Sequence, residues 1–191
     1  MRLFVALCLD PELLEQAARR CGALQAADTG QQIRWVDVSG IHLTLQFLGE
    51  VPSGAVAGLE EGLDAALAGL PAPYLGLGGA GAFPDARRAR VLWIGLRTEG
   101  TALEALHRMV GRALAPRGYP PDSRAFQPHL TVGRVRDGAH LGTDLLRALE
   151  RDRGDAAALR PQPDVVLFRS HLGTGPARYE RLRTWTLQGS R

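Results

Sequence analysis

Of the five histidines in the chain, two stand in the same local setting. His42 opens His42-Leu43-Thr44-Leu45, and His129 opens His129-Leu130-Thr131-Val132. In an extended strand, residues i and i+2 project to one side. Each copy therefore offers one imidazole and one hydroxyl on one face, with Leu43 or Leu130 anchoring the strand on the other. The two histidines lie 87 residues apart, close to half the chain length, so the repeat has the form of a duplicated lobe. Two such strands meeting across a pseudo-two-fold axis would gather two imidazoles and two hydroxyls in one cleft. That set suits a phosphoryl group. The hydroxyls of Thr44 and Thr131 can bond non-bridging oxygens, while His42 and His129 serve the attacking and leaving oxygens of an in-line displacement. An imidazole titrates near pH 6.5, so one ring can be neutral while the other carries a proton. This chemistry requires no metal and no cofactor.

Other catalytic patterns fit less well. The histidines lack the i, i+4 spacing of a helical zinc protease, and there is no Gly-x-Ser-x-Gly elbow. Gly76-Leu77-Gly78-Gly79-Ala80-Gly81 matches Gly-x-Gly-x-x-Gly, but Phe83-Pro84-Asp85 follows where a phosphate-binding helix should open. A flexible turn is the expectation there. His107 and His140 have no obvious partner and are expected to face solvent, and His171 follows a strand.

Positioning two motif strands takes a core, and the hydrophobic pattern supplies one. Residues 3–9 form an apolar run of strand length. Asp10-Pro11-Glu12 then provides an N-cap, a proline at the first helical position and a first-turn acid, predicting a helix over 11–27. A short strand is expected over 33–38. Over 42–48 strict alternation puts His42, Thr44 and Gln46 on one face and Leu43, Leu45 and Phe47 on the other. Helices are expected over 52–70, 101–115 and 143–150, and strands over 74–77, 91–96, 129–135, 165–168 and 179–187. Short neighbouring strands favour antiparallel pairing and an α+β fold.

The charge pattern excludes little by itself. All 23 basic residues are arginine, which suits phosphate recognition, but a net charge of +3 is too small to imply nucleic acid alone. Cys8 and Cys21 are expected to be reduced thiols. No segment reaches the ~18 apolar residues of a membrane span, and Asp10-Pro11 cuts short the apolar start, so a cytoplasmic protein with no membrane partner is expected. Residues 151–155 are polar, with mixed charge, and fit a solvated loop.

Along nearly its full length the chain resembles the bacterial RNA 2′,3′-cyclic phosphodiesterases of the 2H phosphoesterase superfamily, historically called 2′-5′ RNA ligases. Carrying the resemblance are Arg2-Leu3-Phe4-Val5-Ala6, His42-Leu43-Thr44-Leu45 with Phe47-Leu48-Gly49-Glu50-Val51, and Gly81-Ala82-Phe83-Pro84. Val91-Leu92-Trp93, Phe126-Gln127-Pro128-His129-Leu130-Thr131 with Arg134, Ser170 with Leu172 and Gly175, and Tyr179-Glu180 complete it. The resemblance implies a single bilobal domain over 1–191, with two antiparallel-sheet lobes related by a pseudo-two-fold axis around a central cleft. It implies hydrolysis of a terminal RNA 2′,3′-cyclic phosphate to a 2′-phosphate, and a monomer is expected. His129 would be the base that activates water and His42 the acid that protonates the leaving oxygen.

Thr44 and Thr131 would hold the phosphate. The resemblance further implies Arg134 as a phosphate contact and Phe47 as a base contact, each five residues after its histidine. Period-two alternation turns both away from the histidines unless a bulge restores them. Trp35, Phe47 and Phe83 are additional aromatics able to stack on a base. Two other readings are a 2′-5′ RNA end ligase using the same histidines and a non-catalytic RNA or nucleotide binder. Replacing either histidine would spare only the binder.

Overall fold

The computed structural model describes residues 1–154, 156–171 and 178–189. Leu172, Gly175 and Asp155, which figured in the sequence reading, lie outside the described residues. The chain folds as two βαβαβ repeats. The first runs β1 (Arg2–Leu7), α1 (Pro11–Ala27), β3 (Leu43–Glu50), α2 (Val56–Leu67) and β4 (Tyr74–Phe83), with the short β2 (Ile33–Trp35) before β3. The second runs β5 (Val91–Thr98), α3 (Ala102–Leu114), β6 (His129–Val135), α4 (Thr143–Arg151) and β8 (Asp164–His171). The two-residue β7 (Arg160–Pro161) precedes β8, and β9 (Arg178–Thr186) ends the α+β fold.

All named strands belong to one antiparallel sheet ordered β7-β4-β5-β6-β3-β1-β8-β9, with β2 also on β6. The two lobes are the halves of this sheet, joined where β3 meets β6. Each repeat gives its last strand to the other half. β4 leaves the first repeat to pair with β5, and β8 leaves the second to pair with β1. This exchange laces the lobes together.

One face of the sheet carries the core. Leu3, Val5 and Leu7 of β1, Leu43 and Leu45 of β3 and Leu130 and Val132 of β6 are buried with residues of all four helices. These include Leu13, Leu63, Leu106 and Leu145. Burying each such side chain contributes roughly 1.5–3 kcal/mol. The helix starting at Pro11 is set as the sequence predicts, since Asp10 Oδ1 accepts from the Leu13 N–H at 2.7 Å. The other face holds a small cluster of Phe4, Ala6, Val166 and Phe168, against which Cys8 and Tyr179 pack.

The glycine run 76–81 is a strand, not the expected turn. It lies inside β4, whose register with β5 shifts between Leu77 and Ala80. Glycine is needed here for close approach. A Cβ on Gly81 would overlap the Trp93 indole, and one on Gly79 would lie 2.9 Å from the Asp152 carbonyl oxygen. Turn composition is therefore overridden by what packs against the strand. The expected helix over 52–70 begins later, with a 3-10 turn at Ser53–Ala55 before α2.

Candidate active site

The two His-x-Thr copies meet at the centre of the sheet. Leu43 of β3 pairs with Leu130 of β6, antiparallel. Both leucines are buried in the helix-covered core. Residues on either side of them must then project to the open face. Antiparallel register sets His42 toward Thr131 and Thr44 toward His129, so each imidazole neighbours the hydroxyl of the other copy. Only this one pair is in ladder register, and β2 takes over the same edge of β6 from Gly133 to Val135. The strands part on both sides of the leucine pair, which leaves room between the imidazoles.

Both histidines make the same backbone contact. His42 Nδ1 lies 2.8 Å from the Gly40 carbonyl oxygen, and His129 Nδ1 lies 2.7 Å from that of Gln127. A carbonyl only accepts, so each Nδ1–H donates and each Nε2 is left for the cleft. Local structure fixes both carbonyls. Gly40 ends a 3-10 turn, Val38–Gly40, capped by Asp37, whose Oδ1 accepts from Ser39 N at 2.9 Å. Gln127 follows Phe126, whose ring stacks on His107 of α3 at 3.9 Å and 10°. His107 is thus partnered, contrary to the sequence expectation, and braces the segment leading into the second motif. His140 is exposed as expected, and His171 Nε2 lies 2.8 Å from Glu180.

A bulge follows each motif, and the two bulges overturn strict alternation. In β6, Thr131 pairs with Trp93 of β5 and Gly133 with Leu92, leaving Val132 as the extra residue. Arg134, opposite Val91, therefore returns to the face of His129 and Thr131. In β3, Thr44 pairs with Ala6 and Gln46 with Val5, leaving Leu45 extra. Gln46 turns into the core, 5% exposed, and its Nε2 donates to the Tyr119 carbonyl at 2.7 Å. Phe47 turns out beside Phe4, 67% exposed, on the histidine side. The expected placement of Gln46 with His42, and of Phe47 opposite, is reversed for this reason.

Their surroundings differ. His42 stacks on Phe4 at 4.9 Å and Phe168 at 5.8 Å, with Tyr179 edge-on at 5.3 Å. Burial in this aromatic nest pulls its pKa down to about 4, partly offset by the Gly40 hydrogen bond. His129 meets the Phe83 ring edge-to-face at 4.9 Å, and Phe83 leans on Trp93 at 5.3 Å. Trp35 is committed elsewhere, donating from Nε1 to the buried Asp28 carboxylate at 3.2 Å.

Sequence reasoning missed Arg34 of β2, which lies directly opposite Arg134. Opposed like charges are unfavourable in a sheet without an anion nearby. No local signal in the sequence marks this pairing, because it depends on β2 joining β6. The cleft also adjoins a cavity of about 630 Å³ lined by His42, the segment just after β1, Leu14 of α1, the 3-10 turn, β8 and β9. Among the described residues no three His, Cys, Asp or Glu side chains are grouped to hold a metal ion. No helix among them is long and apolar enough to cross a membrane.

Comparison with known proteins gives a consistent set. Residues 11–163 match the family model of the 2′-5′ RNA ligase superfamily. A protein of Geobacillus stearothermophilus named RNA 2′,3′-cyclic phosphodiesterase is 34% identical over 98% of this chain, which spans 57% of that relative's length. One of the same name from Methanothermobacter thermautotrophicus is 34% identical over 71% of this chain and 72% of its own. Among solved structures, Escherichia coli LigT complexed with 3′-AMP superimposes with a TM-score of 0.73 at 26% identity, covering 97% of both chains.

Proposed function

Because the chain belongs to the 2′-5′ RNA ligase superfamily, we propose that it opens terminal 2′,3′-cyclic phosphates of RNA to 2′-phosphates. The observation that carries this reading is the mirrored pair of imidazoles on adjacent strands, each held by a carbonyl two residues back, with Nε2 toward the cleft. The relatives named above support the substrate class. The chain 1–191 works as one bilobal unit, because each repeat completes the other's half of the sheet.

The reaction runs in line. His129 Nε2 takes a proton from water, whose oxygen attacks phosphorus. The P–O3′ bond breaks, and His42 gives O3′ a proton from its Nε2. A 2′-phosphate and a free 3′-hydroxyl result. Thr44 and Thr131 donate to the non-bridging oxygens, Arg134 neutralises their charge and Phe47 offers a face to the base. Burial keeps His42 neutral in the free protein at neutral pH. It therefore takes up its proton as the anionic phosphate enters and favours the imidazolium. Each positioned acid or base typically contributes ~10²–10⁴ in rate.

The test is hydrolysis of an oligoribonucleotide with a 2′,3′-cyclic phosphate end, in EDTA, by the wild type, His42→Ala and His129→Ala. Conversion to a 2′-phosphate by the wild type alone is expected. RNA that stays bound but uncleaved would overturn hydrolysis in favour of end joining or simple binding.

A further inference from the structure

Cyclic-phosphate opening uses only one wall, His42, of a larger hollow. It is the cavity of about 630 Å³ beside His42, on the side of β3 away from β6. Tyr179, Arg178, Arg181, Phe168, Cys8 and Gly40 are among its lining residues. Its volume is that of a small-molecule site, far more than a phosphate needs.

The arginines of β9 are not equivalent. Arg183 is opposite Leu167 and binds Asp64 at 2.6 Å. The β8–β9 register shifts between Leu167 and Phe168, so that Arg181 is opposite Phe168 and shares its face. There the guanidinium lies over the Phe168 ring, 5.5 Å from its centroid, with Nη2 3.4 Å from Cys8 Sγ. Among the described residues it has no carboxylate within ion-pair distance. Asp37, the cavity's acidic residue, is turned to its own Ser39, with Oδ1 accepting from Ser39 N at 2.9 Å and Ser39 Oγ at 2.5 Å. Arg181 is thus a cation already placed against an aromatic plate, with no carboxylate partner among the described residues.

We propose that this cavity is a second subsite, which takes the nucleotide on the 5′ side of the cyclic end and holds its linking phosphate on Arg181. The inference rests on the phosphodiesterase reading. His42 is 5.8 Å and the Arg181 guanidinium 5.5 Å from the Phe168 ring centroid, which bounds their separation to the sum of the two. Such a span suits neighbouring phosphates of one strand rather than two contacts on the same phosphate. The rival anchor is the Arg34–Arg134 pair on the other side of the seam. Arg181 is exposed like those two, but its guanidinium already rests over the Phe168 ring at the wall of a cavity, so less freedom is lost on binding.

The consequence is a preference for chain over monomer. The experiment compares kcat/KM for a nucleoside 2′,3′-cyclic phosphate, a dinucleotide ending in the same group, and that dinucleotide with a neutral methylphosphonate linkage. The wild type is expected to favour the charged dinucleotide over the monomer by about tenfold or more, the usual scale of a charge-assisted contact. Arg181→Ala should lose this preference through its rate on the charged dinucleotide, and the neutral linkage should abolish it in the wild type. Arg181→Lys should recover part of it. Equal loss on all three substrates would assign Arg181 to the cleft's structure and overturn the proposal. Loss of the preference in Arg34→Ala instead of Arg181→Ala would move the subsite across the seam and overturn it too. A wild type that treats monomer and dinucleotide alike sinks only the subsite. Failure to hydrolyse either one sinks the phosphodiesterase reading as well.

Discussion

His42 and His129 share a backbone contact, a neighbouring hydroxyl from the other copy and a following bulge, yet they live in different media. The first is wedged between Phe4, Phe168 and Tyr179, and burial pulls its pKa to about 4. The second has Phe83 at its edge and stands next to the exposed Gln127 and the exposed Arg134. A duplicated strand has thus been given two electrostatic settings by what the flanking strands contribute. β8 and β9 bring aromatics to the first copy. β2 and β5 bring Arg34, Trp93 and Gly95 to the second. Burial keeps the first ring neutral until the phosphate anion enters and favours its imidazolium, so the proton it gives to the leaving oxygen arrives with the substrate.

The strongest way to break the comparison is to remove each ring. His42→Ala and His129→Ala should each lower kcat/KM by ~10²–10⁴, and the double variant should fall little further, because the pair acts as a unit. The two singles should then separate on a phosphodiester with an activated leaving group such as nitrophenolate. A good leaving group needs no protonation, so activity should return in His42→Ala and not in His129→Ala. The opposite pattern would exchange the acid and base roles.

Next in size is acid stability. His42 prefers its neutral form when folded, while the unfolded chain binds the proton near pH 6.5. The stability it gives is therefore complete above pH 6.5 and is lost as pH falls toward 4, by up to about 3 kcal/mol. The ring still touches solvent, so that figure is an upper bound. Urea titrations at pH 7 and pH 4.5 should show a smaller acid loss in His42→Asn than in the wild type. An equal loss would place the ring in a wetter setting than the nest of Phe4, Phe168 and Tyr179.

The bulge makes a smaller, two-sided prediction. Gln46→Ala leaves the Tyr119 carbonyl without its donor and should cost about 1–3 kcal/mol of stability. Phe47→Ala, on the exposed side, should leave Tm nearly unchanged and raise KM for RNA ends. Strict alternation predicts the reverse, so thermal melts of the two variants decide it. The smallest effect is expected from Phe168→Leu. With the aromatic wall thinned, the His42 pKa should rise toward the ordinary imidazole range, and the limb on which kcat/KM falls with rising pH, which reports the acid in the free protein, should move to higher pH. An unmoved limb would mean that Phe168 does not set the medium of His42.

Much of the site was legible before folding. The paired His-x-Thr segments, their spacing and the leucine between each histidine and threonine announce two strands with chemistry on one side. The start of α1 was equally clear, because Asp10 and Pro11 act within one turn of it. Local signals stopped short at three places. Alternation misplaced Gln46 and Phe47, since a bulge is a property of a strand and its partner. The glycine run at 76–81 suggested a turn, because composition does not show that Trp93 and Asp152 press against that backbone. His107 looked idle because Phe126, 19 positions away, reaches it only through the tertiary fold.

By itself, then, the sequence determined which groups could do chemistry, that they come in two copies, and which residues anchor each copy in a core. These follow from side-chain types and a period of two, both local. The tertiary structure alone decided that the copies adjoin through Leu43 and Leu130, that bulges bring Arg134 and Phe47 back to the histidine face, and that one ring is drier than the other. Register, bulging and desolvation each depend on strands far apart in the chain, and no window along the sequence contains both partners.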